Sequence, residues 1–150
     1  MDLVALINEQ IISLELSAES KEAAIKIMAD KLLESGFLSD RDKYVEAVLV
    51  REQKGSTGVG FEIAIPHGKS AGVKRSALAI AKLNEPIDWQ SLDDRPVKMF
   101  FLIAVPQEQA GDEHLKILSS LSRKLIHEEF RNQLLAAKTP TEIIDIIKTI

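Results

Sequence analysis

Apolar residues recur at helical intervals towards both ends of the chain and run almost unbroken through its middle. A short helix is expected over Asp2 to Asn8. Ile11-Ile12-Ser13-Leu14-Glu15-Leu16 alternates well enough for a strand. Ser20 is placed to cap a helix carrying Ala24, Ile27, Met28 and Leu32, with Gly36 just past its end. Ser39 and Asp42 have the spacing of a capping box, starting a helix through Tyr44, Val45, Val48 and Leu49 that Gly55 ends.

The middle reads as strands: Phe61 to Ile65, Ala77-Leu78-Ala79-Ile80-Ala81, and Val97 to Val105. The last is apolar nearly throughout, as suits a strand buried on both faces. Asn84-Glu85-Pro86 and Asp93-Asp94-Arg95-Pro96 read as turns. Gln107 to Gly111 is a polar loop, and Asp112 opens a helix with Leu115, Leu118, Leu121 and Leu125. Glu128 to Ala137 is a further helical stretch. Thr139-Pro140-Thr141-Glu142 combines a capping threonine, a proline at the first position and a glutamate three residues on. Helices, then strands, then helices predict an α/β fold: a single domain over residues 1–150, its central mixed β-sheet flanked by helices on both faces.

Composition narrows the chemistry. The 150 residues are 45% hydrophobic, enough for one compact domain with a core, and no linker or internal repeat divides them. The net charge is −4, from 23 acidic and 19 basic residues, and the basic ones before Arg75 are scattered, so no nucleic-acid partner is expected. The chain has no cysteine, which excludes disulfides, thiolate metal sites and a cysteine nucleophile. Its longest apolar run, Met99 to Val105, falls far short of the roughly 20 residues that span a bilayer, so no direct membrane insertion is expected. Met1-Asp2-Leu3-Val4 lacks the basic start of a secretory signal, and a cytoplasmic protein is expected.

One stretch stands apart from packing. In Gly55-Ser56-Thr57-Gly58-Val59-Gly60-Phe61-Glu62-Ile63-Ala64-Ile65-Pro66-His67-Gly68, a glycine-rich turn feeds an apolar run that stops at proline, histidine and glycine. Pro66 fixes its own φ and biases Ile65 to an extended conformation, and Gly68 leaves one side of the ring unobstructed. His67 is then either a nucleophilic imidazole or a turn histidine bonded to a neighbouring carbonyl.

The other candidates each have two readings. His114 is either a solvated first-turn residue or a partner for phosphate at a helix N-terminus. Arg51 is a solvated charge set against the helix dipole, or a planar clamp for two phosphate oxygens. Ser56 and Thr57 serve as turn residues or as donors to the same anion. His127, at a junction between helical stretches, is taken as structural. The glycines do not form a nucleotide P-loop, and no H-x-x-x-H or H-E-x-x-H pair is present.

Arg51-Glu52-Gln53-Lys54-Gly55-Ser56-Thr57-Gly58-Val59-Gly60, followed by Ile63-Ala64-Ile65-Pro66-His67-Gly68-Lys69 and by Glu113-His114-Leu115, resembles the enzyme IIA domain of the fructose/mannitol class. These type-2 EIIA domains belong to the bacterial phosphoenolpyruvate-dependent sugar phosphotransferase system, and the related nitrogen-regulatory IIA proteins share the pattern. The resemblance covers essentially the whole chain. It implies that His67 accepts a phosphoryl group from phospho-HPr and passes it to a cysteine of a IIB domain, on behalf of a membrane IIC component. It further implies that Arg51 and His114 line the same pocket, Arg51 as a phosphate or transition-state partner and His114 as a hydrogen-bonding partner of His67 or its phosphate. Ser56, Thr57 and Gly68 would neighbour the phosphate.

The residues suit that chemistry. Phosphoryl transfer asks a protein chiefly for positioning and electrostatic stabilisation. Neutral His67 would attack through one nitrogen, Nε2 by the resemblance, while the ring N–H on the other donates to a carbonyl and fixes the tautomer. No metal or nucleotide cofactor is required. Two partners must reach the ring in turn, so a shallow, partly apolar depression is expected, with Phe61 at its rim or in the core. The fructose-type carrier is the primary reading; a regulatory IIA protein, whose phosphorylation state gates a transporter or kinase, would use the same residues. A third reading gathers His67, His114 and His127 around a metal ion.

Overall fold

The computed structural model of the protein describes residues 2–108 and 112–150. The expected opening helix is two 3-10 turns instead, Leu3–Leu6 and Glu9–Ile11. The Asp2 carboxylate accepts the Val4 amide and the Asn8 side chain accepts the Ile11 amide, so short polar side chains compete for the donors a continuous helix would use. Strand β1 follows at Ile12–Leu16.

Helix α1 spans Lys21–Glu34. The Ser20 hydroxyl accepts the Ala23 amide at 3.1 Å, and Gly36 takes a left-handed φ of 82° just past the end. Helix α2 spans Arg41–Lys54, and here the predicted cap shifts by one residue. Asp40, not Ser39, accepts the Lys43 amide at 3.1 Å. Ser39 is held otherwise, its own amide donating to the Gly72 carbonyl at 2.8 Å beside the bridge between Leu38 and Val73.

The strands are β2 (Gly58–Gly60), β3 (Ile63–Ala64), β4 (His67–Ser70), β5 (Ala77–Ile87) and β6 (Val97–Pro106). They form one mixed sheet in the order β1-β5-β6-β3-β2, with β4 also beside β6. β5 is antiparallel to β6, whereas β1 is parallel to β5 and both β3 and β4 are parallel to β6. The expected turn at Asn84-Glu85-Pro86 lies within β5. The register with β6 shifts between Lys82 and Ile87, so Pro86 falls where the ladder is irregular and its missing N–H costs no pairing.

The expected strand from Phe61 to Ile65 shortens to Ile63–Ala64, because Phe61 (φ 59°) and Glu62 (φ 68°) are both left-handed. Tertiary contacts hold this costly conformation. The Asp93 carboxylate accepts the Phe61 amide at 3.0 Å, and the Glu62 carboxylate meets Arg95 at 2.7 Å and Lys98 at 2.9 Å.

Helices α3 (Glu113–Leu125), α4 (Glu128–Ala136) and α5 (Pro140–Ile147) complete the chain. Of the polar loop Gln107 to Gly111, residues 109–111 lie outside the described residues. Thr139 accepts the Glu142 amide at 3.2 Å while the Glu142 carboxylate reaches back to the Lys138 amide at 3.0 Å. Strand alternation divides the core in two. Phe100, Leu102 and Ala104 of β6, with Ala77, Ala79 and Ala81 of β5, pack in the α1–α2 layer. Met99, Phe101, Ile103 and Val105, with Leu78 and Ile80, pack in the α3–α5 layer. The sheet is therefore covered on both faces, as the sequence pattern predicts.

Candidate active site

β3 and β4 are two pieces of one line. Ile63 pairs with Met99 and His67 with Ile103, so both keep the same register along β6. The ladder lapses at Ile65 and Pro66, where proline has no N–H to donate. The Pro66 carbonyl still accepts the Ile103 amide at 3.0 Å. Ile65 turns both of its main-chain groups elsewhere: its amide donates to the Thr57 carbonyl at 2.9 Å, and its carbonyl lies 3.0 Å from Nδ1 of His67. A carbonyl only accepts, so this contact calls for a proton on Nδ1, and whenever the ring is neutral its lone pair is then on Nε2.

His67 opens β4 and is half-buried. Its direction follows from its neighbour. A Cβ placed on Gly68 would come within 2.8 Å of Val48 Cγ2 and 3.1 Å of the Val48 amide nitrogen, so Gly68 faces α2. His67, one residue earlier, projects to the opposite face with its register partner Ile103, into the α3–α5 layer. Gly68 was expected to clear space beside the ring; what it does is bring β4 hard against α2.

Tyr44 reinforces the same level from α2. Its hydroxyl donates to the Ile103 carbonyl at 2.8 Å, and full burial pushes the phenol pKa well above its ordinary value, keeping it a neutral donor.

α2 runs antiparallel to β4, since Gly72 abuts Asp40 and Lys43 while Gly68 abuts Ala47 and Val48. Its last turn, with Arg51, therefore points towards the start of β4. Arg51 Nη1 donates to the Gly55 carbonyl at 2.7 Å, tying the guanidinium to the loop that leads to His67. On the other face, His114 lies in the first turn of α3; its side chain lies outside what the structure describes. That turn is tethered by the Ser76 hydroxyl, which donates to Glu113 at 3.1 Å. The next residue, Ala77, pairs with Ala104, and Ala104 also pairs with Gly68. The start of α3 and His67 thus share one face and one level of the sheet.

The loop residues are placed differently. The Ser56 hydroxyl donates to the Trp89 carbonyl at 2.5 Å and accepts the Gly58 amide at 3.0 Å. Thr57 is buried and its hydroxyl donates to Glu52. Both hydroxyls thus tie the loop to its surroundings, Ser56 to Trp89 and Thr57 to α2. Phe61 is 45% exposed, not core, with the Arg131 guanidinium stacked 4.0 Å from its ring. By register even Ile63 is four strand positions from His67, on the order of 13 Å, so Phe61 sits away from the ring. His127 is the exposed N-cap position of α4; the terminal Leu125 carbonyl goes to Arg131 at 2.8 Å.

Sequence reasoning took Tyr44 for a core position and passed over Glu52 and Trp89. Nothing in their spacing, 37 residues between Glu52 and Trp89, announces that they meet at 3.3 Å. The one available signal was a glutamate beside Arg51 on a helix end.

Residues 5–150 match the family of phosphoenolpyruvate-dependent sugar phosphotransferase system EIIA type 2. The chain belongs to this family. Among its relatives, the fructose-specific EIIA component of Haloferax volcanii is 40% identical over 146 residues, covering 97% of this chain and 94% of the relative. The fructose-specific EIIABC component of Bacillus subtilis is 42% identical over 98% of this chain, which spans only 23% of that longer protein. Among solved structures, the nitrogen regulatory protein IIA-Ntr of Neisseria meningitidis superposes with a TM-score of 0.87 at 32% identity, covering 96% of this chain and 97% of that one. The protein is thus an EIIA component of the sugar phosphotransferase system, and EIIA domains work with IIB components. Among the described residues, no helix is long and apolar enough to cross a membrane.

Proposed function

We propose that the chain is a cytoplasmic phosphocarrier for fructose-type sugar uptake, with His67 as the residue that is phosphorylated. Phospho-HPr donates, Nε2 of His67 attacks in line, the bond to the donor's histidine breaks, and the resulting phosphoramidate passes its phosphoryl group to a cysteine of IIB. The observation that carries this reading is the 3.0 Å contact between Nδ1 of His67 and the Ile65 carbonyl. It favours the proton on Nδ1 and so supports Nε2 as the nucleophilic nitrogen of the neutral ring.

Arg51 contributes positive charge from the end of α2, and the first turn of α3, with His114, contributes amide donors on the ring's own face. Ser56, Thr57 and Gly68 serve this site by shaping the backbone behind it, since the two hydroxyls are bonded to Trp89 and to Glu52 of α2 and Gly68 sets the contact with α2. The fructose-specific relative of nearly equal length favours uptake, and the EIIABC relative supports a IIB acceptor that serves a membrane IIC component. The superposition with a nitrogen regulatory IIA protein supports a second reading, in which the phosphorylation state of His67 governs binding to a transporter or kinase.

Incubation with radiolabelled phospho-HPr should give one acid-labile phosphoryl group per chain, absent in His67→Ala. Label retained at full stoichiometry in that variant would remove His67 from the role. Discharge by a fructose-type IIB domain separates the two readings: uptake requires it, whereas a purely regulatory protein keeps its label.

A further inference from the structure

The hydrogen bonds that hold the His67 ring continue past Ile65. Its carbonyl receives Nδ1 at 3.0 Å, and its amide donates to the Thr57 carbonyl at 2.9 Å. Thr57 is itself fixed by a buried acid: its amide donates to Glu52 Oε2 at 3.3 Å and its hydroxyl to Glu52 Oε1. Trp89 Nε1 donates to Glu52 Oε1 at 3.3 Å and to Thr57 Oγ1 at 3.2 Å, while Lys21 Nζ meets Oε2 at 3.2 Å. The Glu52 side chain is only 4% exposed, so this carboxylate is spent on organising donors and not on solvent.

We propose that Glu52 and Thr57 are positioning residues for His67, acting through the Ile65 main chain to favour one ring tautomer. The proposal rests on the reading of His67 as the phosphoryl acceptor. Ile65 belongs to the lapse in the ladder beside Pro66, so the peptide plane on its amide side is anchored by Thr57, and the extended conformation that Pro66 imposes on Ile65 carries that restraint across its Cα to the plane of its carbonyl. If Thr57 shifts, the Ile65 carbonyl turns with it and Nδ1 loses its acceptor. A neutral imidazole that loses an acceptor at Nδ1 loses the bias that acceptor gave to the Nδ1–H form, and the tautomer protonated on Nε2 cannot attack through Nε2. The arrangement is the imidazole–carbonyl orientation seen behind metal-bound histidines, where outer partners act at the 10- to 100-fold level.

The test is nitrogen-15 NMR of the His67 ring in the unphosphorylated protein, at a pH where the ring is neutral, in the native chain and in Thr57→Val, Thr57→Ser and Glu52→Gln. The native ring should show the Nδ1–H form. Thr57→Val and Glu52→Gln should show a mixture, with maximal phosphorylation by phospho-HPr slowed about tenfold and the half-saturating donor concentration unchanged. Thr57→Ser, which restores the hydroxyl, should return both readouts to native. A folded Thr57→Val with the native tautomer overturns the proposal, as does a shifted tautomer with a native rate. If Glu52→Gln does not fold, the valine and serine pair decides alone. Failure of the native chain to accept phosphate would instead sink the proposed function, a result distinguishable because the tautomer is read without any donor.

Discussion

His67 and His127 both stand where one element ends and another begins, and the two junctions are built in different ways. Before His67, the loop is bound from behind at Ser56, Thr57 and Ile65, and the last of these bonds ends on a ring nitrogen. At His127 the main chain does the joining: its amide donates to Lys124 at 3.0 Å and its carbonyl accepts Arg131 at 3.2 Å, with no side-chain cap. The exposed ring there is incidental to the turn. The contrast teaches that an imidazole becomes a defined reagent only where the scaffold decides which nitrogen bears the proton.

The strongest way to break the comparison is His67→Ala, which should abolish acid-labile phosphorylation outright. Arg51→Ala and His114→Ala come next, each slowing transfer on the order of 10²-fold in rapid-quench kinetics, the scale of losing one preorganised donor. A native rate in either variant would exclude that residue. Tyr44→Phe acts on stability: the Ile103 carbonyl loses a buried donor, at a cost of about 1–3 kcal/mol by denaturant unfolding. The same variant sharpens a pH effect. The folded-state pKa of Tyr44 is raised, so its stabilising contribution is intact below the unfolded tyrosine pKa and is lost as pH rises above about 10, where only the unfolded chain ionises. Tyr44→Phe should flatten that part of the alkaline unfolding curve. Smallest of all, His127→Ala should leave phosphorylation unchanged and shift stability by less than about 0.5 kcal/mol.

What was legible in the chain follows the range of the interaction. Ser20, Gly36, Gly55 and Thr139 work through neighbours a few residues away, and their elements are where the pattern predicts them. The run Val97 to Val105 announces a strand buried on both faces because, past the exposed Lys98, that environment leaves no polar position. β4 was not legible: His67-Gly68-Lys69-Ser70 has no strand-like alternation, and it is a strand because β6 offers it a ladder. The left-handed pair Phe61–Glu62 was hidden for the same reason, its support coming from Asp93, Arg95 and Lys98 more than 30 residues on. At the site, the motif singled out His67 and Arg51, but the acceptor at Nδ1 of the ring is the Ile65 main-chain carbonyl, which carries no letter in a sequence.

Trp89 is the only tryptophan in the chain, and its buried indole N–H ends on Glu52 and Thr57. The intrinsic ultraviolet emission of the protein is therefore the signal of one cluster, a few bonds behind the ring of His67. Arrival of a partner or a phosphoryl group that disturbs the loop will reach the detector without any dye or label. The molecule carries its own optical gauge beside the proposed site.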